Sequence, residues 1–152
     1  MIARKRTRRR RDGGAAALEF GIITPVLLLL VLGIIQYGIY FWGMQAGSAA
    51  AAELARRLSV GDCQATGAAQ GFVVRRLGPA ASASPTVGVA YQDGSGTTMA
   101  APGQIGGNVR VTVQFAVLNL HLPMVPIPGS GTVSSNANAR VEDLANPVGG
   151  CA

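Results

Sequence analysis

The chain is short of the residues that do chemistry: among 152 positions there are one histidine, two cysteines and seven acids. His121 stands between Leu120 and Leu122 with no serine or cysteine nucleophile pattern beside it, so it reads as a structural or solvent-exposed side chain. One histidine and two distant cysteines offer no metal-ligand spacing, and neither a metal nor another cofactor is expected. No glycine-rich phosphate loop follows a strand, because Gly103-Gln104-Ile105-Gly106-Gly107 has the character of a flexible connector. The reading is of a non-enzyme.

Charge is absent altogether from residues 20–42, a run of 23 positions that includes Leu27-Leu28-Leu29-Leu30-Val31-Leu32. As a helix rising about 1.5 Å per residue it spans roughly 35 Å, enough to cross a hydrocarbon core of about 30 Å with some tilt. Tyr37, Tyr40 and Trp42 cluster at its far end, where amphipathic rings favour the headgroup level. Pro25, after Thr24, removes a backbone donor inside the run and predicts a kink of the kind that membrane helices tolerate. A membrane is the first expected partner.

Negative charge is scarce at the N-terminus. Residues 1–14 hold seven Lys/Arg and one acid, and so carry the whole net charge of +6, while from Ala15 onward six arginines face six acids. A basic leader beside a span follows the positive-inside rule rather than the pattern of a nucleic-acid arm, and no nucleic-acid partner is expected. The leader belongs in the cytoplasm on this reading, and everything after Trp42 belongs outside. Cys63 and Cys151 then fall on the outer side, where disulfides persist. A bridge between them would close a loop of roughly 100 residues, worth about 4–5 kcal/mol in the chain-entropy model. Two independent thiols are the alternative.

The expected fold class is α+β, with a basic leader at 1–14, a span and stem at 15–60 and a small head at 61–152. Helix formers run from Ala15 to Leu58, which predicts one long helix. On its outer half Gly43, Gly47, Ala51 and Ala55 recur every four residues, a spacing that suits either close helix–helix approach or a merely alanine-rich helix. A short second helix is expected at 64–77, with Ala65, Ala69, Phe72, Val73 and Leu77 on one face and a stop at Gly78-Pro79. The pairs Arg56-Arg57 and Arg75-Arg76 read as solvated faces. About three strands are expected, at 86–92, 108–118 and 132–141, the last two as antiparallel neighbours. The middle one is the clearest, with Val109, Val111, Val113, Phe115 and Val117 alternating against polar or small residues. Residues 95–107 read as loop, and 143–152 as a loose tail unless Cys151 ties them down.

Glu19 is the one acid beside the apolar run. A carboxylate there costs up to about 2.5–3.5 kcal/mol at mid-bilayer and less near the edge. It suits the first turn of a helix as it stands. A cut after Gly14 would give it another task, because Ala15 would then carry a free amine one helical turn away. In a bundle of such helices the carboxylate could pair with a neighbour's amine and so select the axial register at which subunits dock.

Gly14-Ala15-Ala16-Ala17-Leu18-Glu19-Phe20 after an arginine-rich leader resembles a type IV prepilin processing site. With Pro25-Val26-Leu27-Leu28-Leu29, Gly33-Ile34-Ile35-Gln36-Tyr37-Gly38 and the alanine-rich stretch at 46–57, it is similar to the TadE-like pilin-like proteins of the tight-adherence (Flp) pilus system. The resemblance covers about residues 8–60 and extends only weakly to the head. It implies a minor pilin or pseudopilin in the bacterial cytoplasmic membrane, cut between Gly14 and Ala15 by a prepilin peptidase, with Glu19 serving assembly with other pilins. Where that family often has Glu, this chain has Gln36. Two other readings compete: a secreted or membrane-anchored binding protein unrelated to pili, with a signal cut near Ala46-Gly47-Ser48, and a plain single-pass anchor. A signal core is typically about 7–15 residues, well short of this run, and a plain anchor gives Gly14 and Glu19 no task.

Overall fold

The computed structural model describes residues 12–65, 67–101, 103–122, 124–144 and 150–151, so residues 1–11 of the expected leader lie outside it. A single helix, α1 (Asp12–Ser59), runs unbroken through Pro25. Thr24 Oγ1 donates to the Phe20 carbonyl at 2.6 Å, turning the hydroxyl back onto the helix just ahead of the proline. A second helix, α2 (Ala68–Leu77), follows, then strands β1 (Thr86–Gln92), β2 (Thr98–Met99), β3 (Asn108–Ala116) and β4 (Thr132–Arg140). The strands form one antiparallel sheet in the order β2-β1-β3-β4.

The fold is the expected α+β, with one strand more than the three read from the sequence. The added strand is β2, which falls in a stretch read as loop and pairs Met99 with Tyr91 and Thr98 with Gln92. It is folded back by Asp93, whose Oδ1 accepts from the Ser95 and Thr97 amides at 2.8 and 2.9 Å. The second helix begins at Ala68 rather than at residue 64. Cys63 and Gly67 both have positive φ, 62° and 81°, so the chain is still turning there. At the other end Gly78 (φ 48°) and Pro79 stop the helix as expected.

The outer half of α1 lies across one face of the sheet, and this interface is the core. Ala50, Ala51, Leu54, Ala55 and Leu58 are buried against Tyr91, Val109, Val111, Val113, Phe115, Val133 and Val141. Phe72, Val73 and Leu77 bring the apolar face of α2 into the same cluster. Fully burying a side chain of this size contributes about 1.5–3 kcal/mol.

The small-residue stripe has a use that neither expectation named. A Cβ at Gly47 would stand 2.7 Å from Phe115 Cε1 and 2.9 Å from Ser135 Oγ, and one at Gly43 would collide with Val117. The stripe lets a sheet of the same chain approach the helix, not a second helix. Arg57 is likewise no solvated face: it donates to Glu53 and Asp62 at 3.1 Å each, and its guanidinium lies 4.9 Å above the Phe72 ring.

Candidate processing, docking and head-anchoring sites on the long helix

The first turns of α1, up to about Ile23, have no partner in the head among the described residues. Leu18, Phe20, Ile22, Ile23 and Val26 are each more than 60% exposed, and a Cβ at Gly14 or Gly21 would meet nothing within 4 Å. A row of large apolar side chains so bare is a surface for lipid or for other helices. The helix is long and apolar enough to cross a membrane, with mean hydropathy 2.5 over its best window.

Gly14 and Ala15 lie in the first turn of the described helix, and both are exposed. Glu19 follows one turn later, also exposed, with no partner among the described residues. These three therefore share one accessible helix end. Pro25 sits further along, where the β3–β4 connection meets the helix.

Midway along the helix the surroundings change at Gln36. Its side chain is 1% exposed, although it stands in an otherwise apolar stretch. Nε2 donates to the Leu118 carbonyl at 3.1 Å, and Oε1 accepts from the Leu120 amide at 2.9 Å. One carboxamide thus satisfies both a donor and an acceptor of the chain leaving β3. An amide can do this because it carries both functions, whereas an ionised carboxylate only accepts. The sequence marked Gln36 as a departure from a family pattern and gave it no partner. The only signal was a lone amide among apolar residues, and its partners are more than 80 positions away.

Beyond Gln36 the connection from β3 to β4 runs along the helix. Leu122 and Val125 close a crevice of about 240 Å³ with Pro25, Leu28, Leu29 and Leu32. The chain then returns through Gly129, near the Tyr40 hydroxyl, to β4. Three of the four described non-glycine residues with positive φ lie on this connection: His121, Met124 and Ser130. His121 itself is exposed and touches neither a nucleophile nor an acid in any described contact.

At the far end of the head Cys63 and Cys151 are joined in a disulfide, with their Cα atoms 4.4 Å apart and 88 positions between them in sequence. Of the tail, residues 145–149 and 152 lie outside the described residues. Three ionisable groups of the head are shifted by their surroundings. Glu53 is held below the ordinary carboxylate range, first by its hydrogen bond from Arg56 and then by that from Arg57. Asp93 is lowered by the Ser95 hydroxyl and the Thr97 amide. Burial pushes the Tyr91 phenol up, against a smaller opposing effect of Gln64. Among the described residues no group of three or more His, Cys, Asp or Glu could hold a metal ion.

Comparison with known families bears on the helix alone. The family model described as TadE-like protein matches residues 14–56, the family that the sequence resembles. The matched stretch begins at Gly14, takes in Glu19, Gln36 and the glycine stripe, and stops before the sheet and α2. No curated protein and no solved structure matches the chain.

Proposed function

We propose, from the TadE-like segment as premise, that this chain is a minor pilin or pseudopilin of a tight-adherence pilus system, a non-enzymatic component that works by docking. The observation that carries the reading is the division of α1. Its outer half is committed to its own sheet, whereas its first turns, with Gly14, Ala15 and Glu19, are bare. A helix with one face built into a head and its other end unpartnered suits insertion among like helices. In this account the basic leader lies in the cytoplasm and the head outside the cytoplasmic membrane. A prepilin peptidase cuts between Gly14 and Ala15, and Glu19 then pairs with an Ala15 amine, its own or a neighbour's.

The secreted alternative fits the packing poorly. A cut near residues 46–48 would fall beside Gly47, which packs against Phe115 and Ser135, and would discard both Gln36 and Gly43. N-terminal sequencing of the mature protein from membranes separates the readings. The expected first residue is Ala15, and Gly14→Leu is expected to leave an uncut precursor, because a small residue is needed at the cut. A mature chain beginning near Ala49 would overturn the proposal.

A further inference from the structure

β4 ends the sheet and pairs with β3 alone among the described strands. The ladder between them fixes which of its backbone groups are spent. Val117 N–H donates to the Gly131 carbonyl and Val141 N–H to that of Gly107, so the odd residues of β4 bond to β3. The N–H and C=O groups of the even residues therefore point away from the sheet. Thr132 N–H is taken by the Gly129 carbonyl, and past the strand Glu142 N–H is taken by Ser59. Between those ends the backbone groups of Ser134, Asn136, Asn138 and Arg140 have no hydrogen-bond partner on that side among the described residues. Such edges are usually blunted by a proline, a bulge or a charge. Residues 132–139 hold neither proline nor charge, and the register with β3 is unbroken from Thr132 to Arg140.

Beside this open edge the helix leaves room. Phe41, Met44, Gln45 and Ser48 of α1 face Ser135 and Asn136 of β4 across a groove of about 310 Å³. The four helix positions recur at i, i+3, i+4 and i+7, so they form one face. Phe41 is 55% exposed on it and Met44 42%. A strand laid beside β4 would bring every second side chain over that face. Unpaired backbone on one wall and apolar side chains on the other are the two halves of a strand-addition site.

We infer that the β4 edge between Ser134 and Arg140 takes an extended segment of another protein as a fifth strand. The segment is uncharged, and its alternate apolar side chains enter the groove beside Phe41 and Met44. Charge complementarity selects that chemistry, since no charged side chain lines the groove and Arg140, at the far end, is the one charge on the open stretch. A second copy is the poorer occupant. α1 tracks β4 in the same direction, with Gly47 beside Ser135 and Ser59 bonded to Glu142. Antiparallel pairing of β4 with its own copy would set the two long helices head to tail, which two spans with their heads on one side of a membrane cannot adopt. Only this exclusion rests on the reading of α1 as a membrane span; the open edge belongs to the head.

The test is amide hydrogen exchange in the full chain in detergent micelles, with the acetylated and amidated peptide Thr-Val-Thr-Leu-Thr-Val-Thr as the added strand. Saturating peptide is expected to slow exchange at the Asn136 and Asn138 amides by about tenfold, the scale of one net hydrogen bond. The odd residues of β4 should be unaffected. Asn136→Pro should abolish the protection at Asn138 and leave the melt of the head unchanged, because that N–H lies outside the ladder and proline is tolerated on such an edge. Should the proline disturb the fold, Met44→Asp carries the test: it leaves the edge intact, charges the groove and should weaken the peptide. Unchanged exchange at Asn136 and Asn138 in the parent chain, or parent-like protection in both variants, overturns the inference. Protection that appears without peptide and fades on dilution of the chain means that a second copy closes the edge, and overturns it as well.

Discussion

Gln36 and Glu19 are both polar residues in an apolar helix, and their surroundings give them opposite tasks. Gln36 is turned inward and saturated, so its removal leaves a buried carbonyl and a buried amide without partners. Each such loss costs about 1–3 kcal/mol. Gln36→Leu is expected to destabilise the head by about that amount per lost partner, and to raise hydrogen exchange at the Leu120 amide and protease cutting after it. Gln36→Glu, when ionised, keeps the acceptor for Leu120 but loses the donor to Leu118 and buries a charge, so it should destabilise at least as much as Leu. The titrating residues of the head set a pH window. Glu53 and Asp93 have lowered folded values, so their support is complete above the ordinary carboxylate range and is lost as pH falls through those values. Tyr91 is raised above its ordinary 10.0, so its contribution is complete below that pH and is lost as pH climbs through the folded value. Thermal unfolding of the head across pH should show a plateau with losses on both sides. A Tyr91→Phe chain should lose the alkaline limb; persistence of that limb would assign it elsewhere.

Among the elements, those legible in the sequence were the ones whose signal is local. A 23-residue uncharged run needs no tertiary partner to be read as a long helix, and strict alternation of valines located β3 to within two residues. The two-residue β2 carries no period of its own and exists only because Asp93 folds it onto β1. The start of α2 was misplaced because helix-forming residues after Cys63 gave no sign of the turn required by the disulfide and Gly67. Small residues every fourth position allow close approach of anything, so their spacing could not say that the visitor is a sheet. The residues proposed for processing and docking form a local motif, whereas Gln36 had no local signal of its task, its partners being contributed by a distant loop. The glycine stripe yields the sharpest test at this scale. Gly47→Val places branched carbon against the Phe115 ring and Ser135, where overpacking costs about 1–3 kcal/mol. The melting temperature should drop by several degrees, about 4–8 °C per kcal/mol for a domain of this size. An unchanged melt would mean that the sheet does not rest on this face.

The whole molecule is one long helix with a head packed on its outer half, a middle stretch met by the β3–β4 connection, and bare first turns that hold Gly14 and Glu19. The disulfide between Cys63 and Cys151 closes the head on itself, beside the core cluster that holds Cys63. On the proposed reading docking is left to the first turns of α1, and the central claim is that Glu19 directs it. The most direct measurement is co-purification of the membrane-inserted Glu19→Leu chain with the other pilus components, beside a count of surface pili. The account predicts a split result. Cleavage after Gly14 and membrane insertion continue, since the leader, the glycine and the span are intact, while co-purification and piliation are lost. An Ala15 amine left without its counter-charge in a low-dielectric setting is heavily penalised. Glu19→Asp should be intermediate, with the charge kept and the reach one methylene shorter. If Glu19→Leu is cleaved, inserts and assembles as well as the parent, Glu19 is only an acid in the first turns of a helix, and the docking account is contradicted.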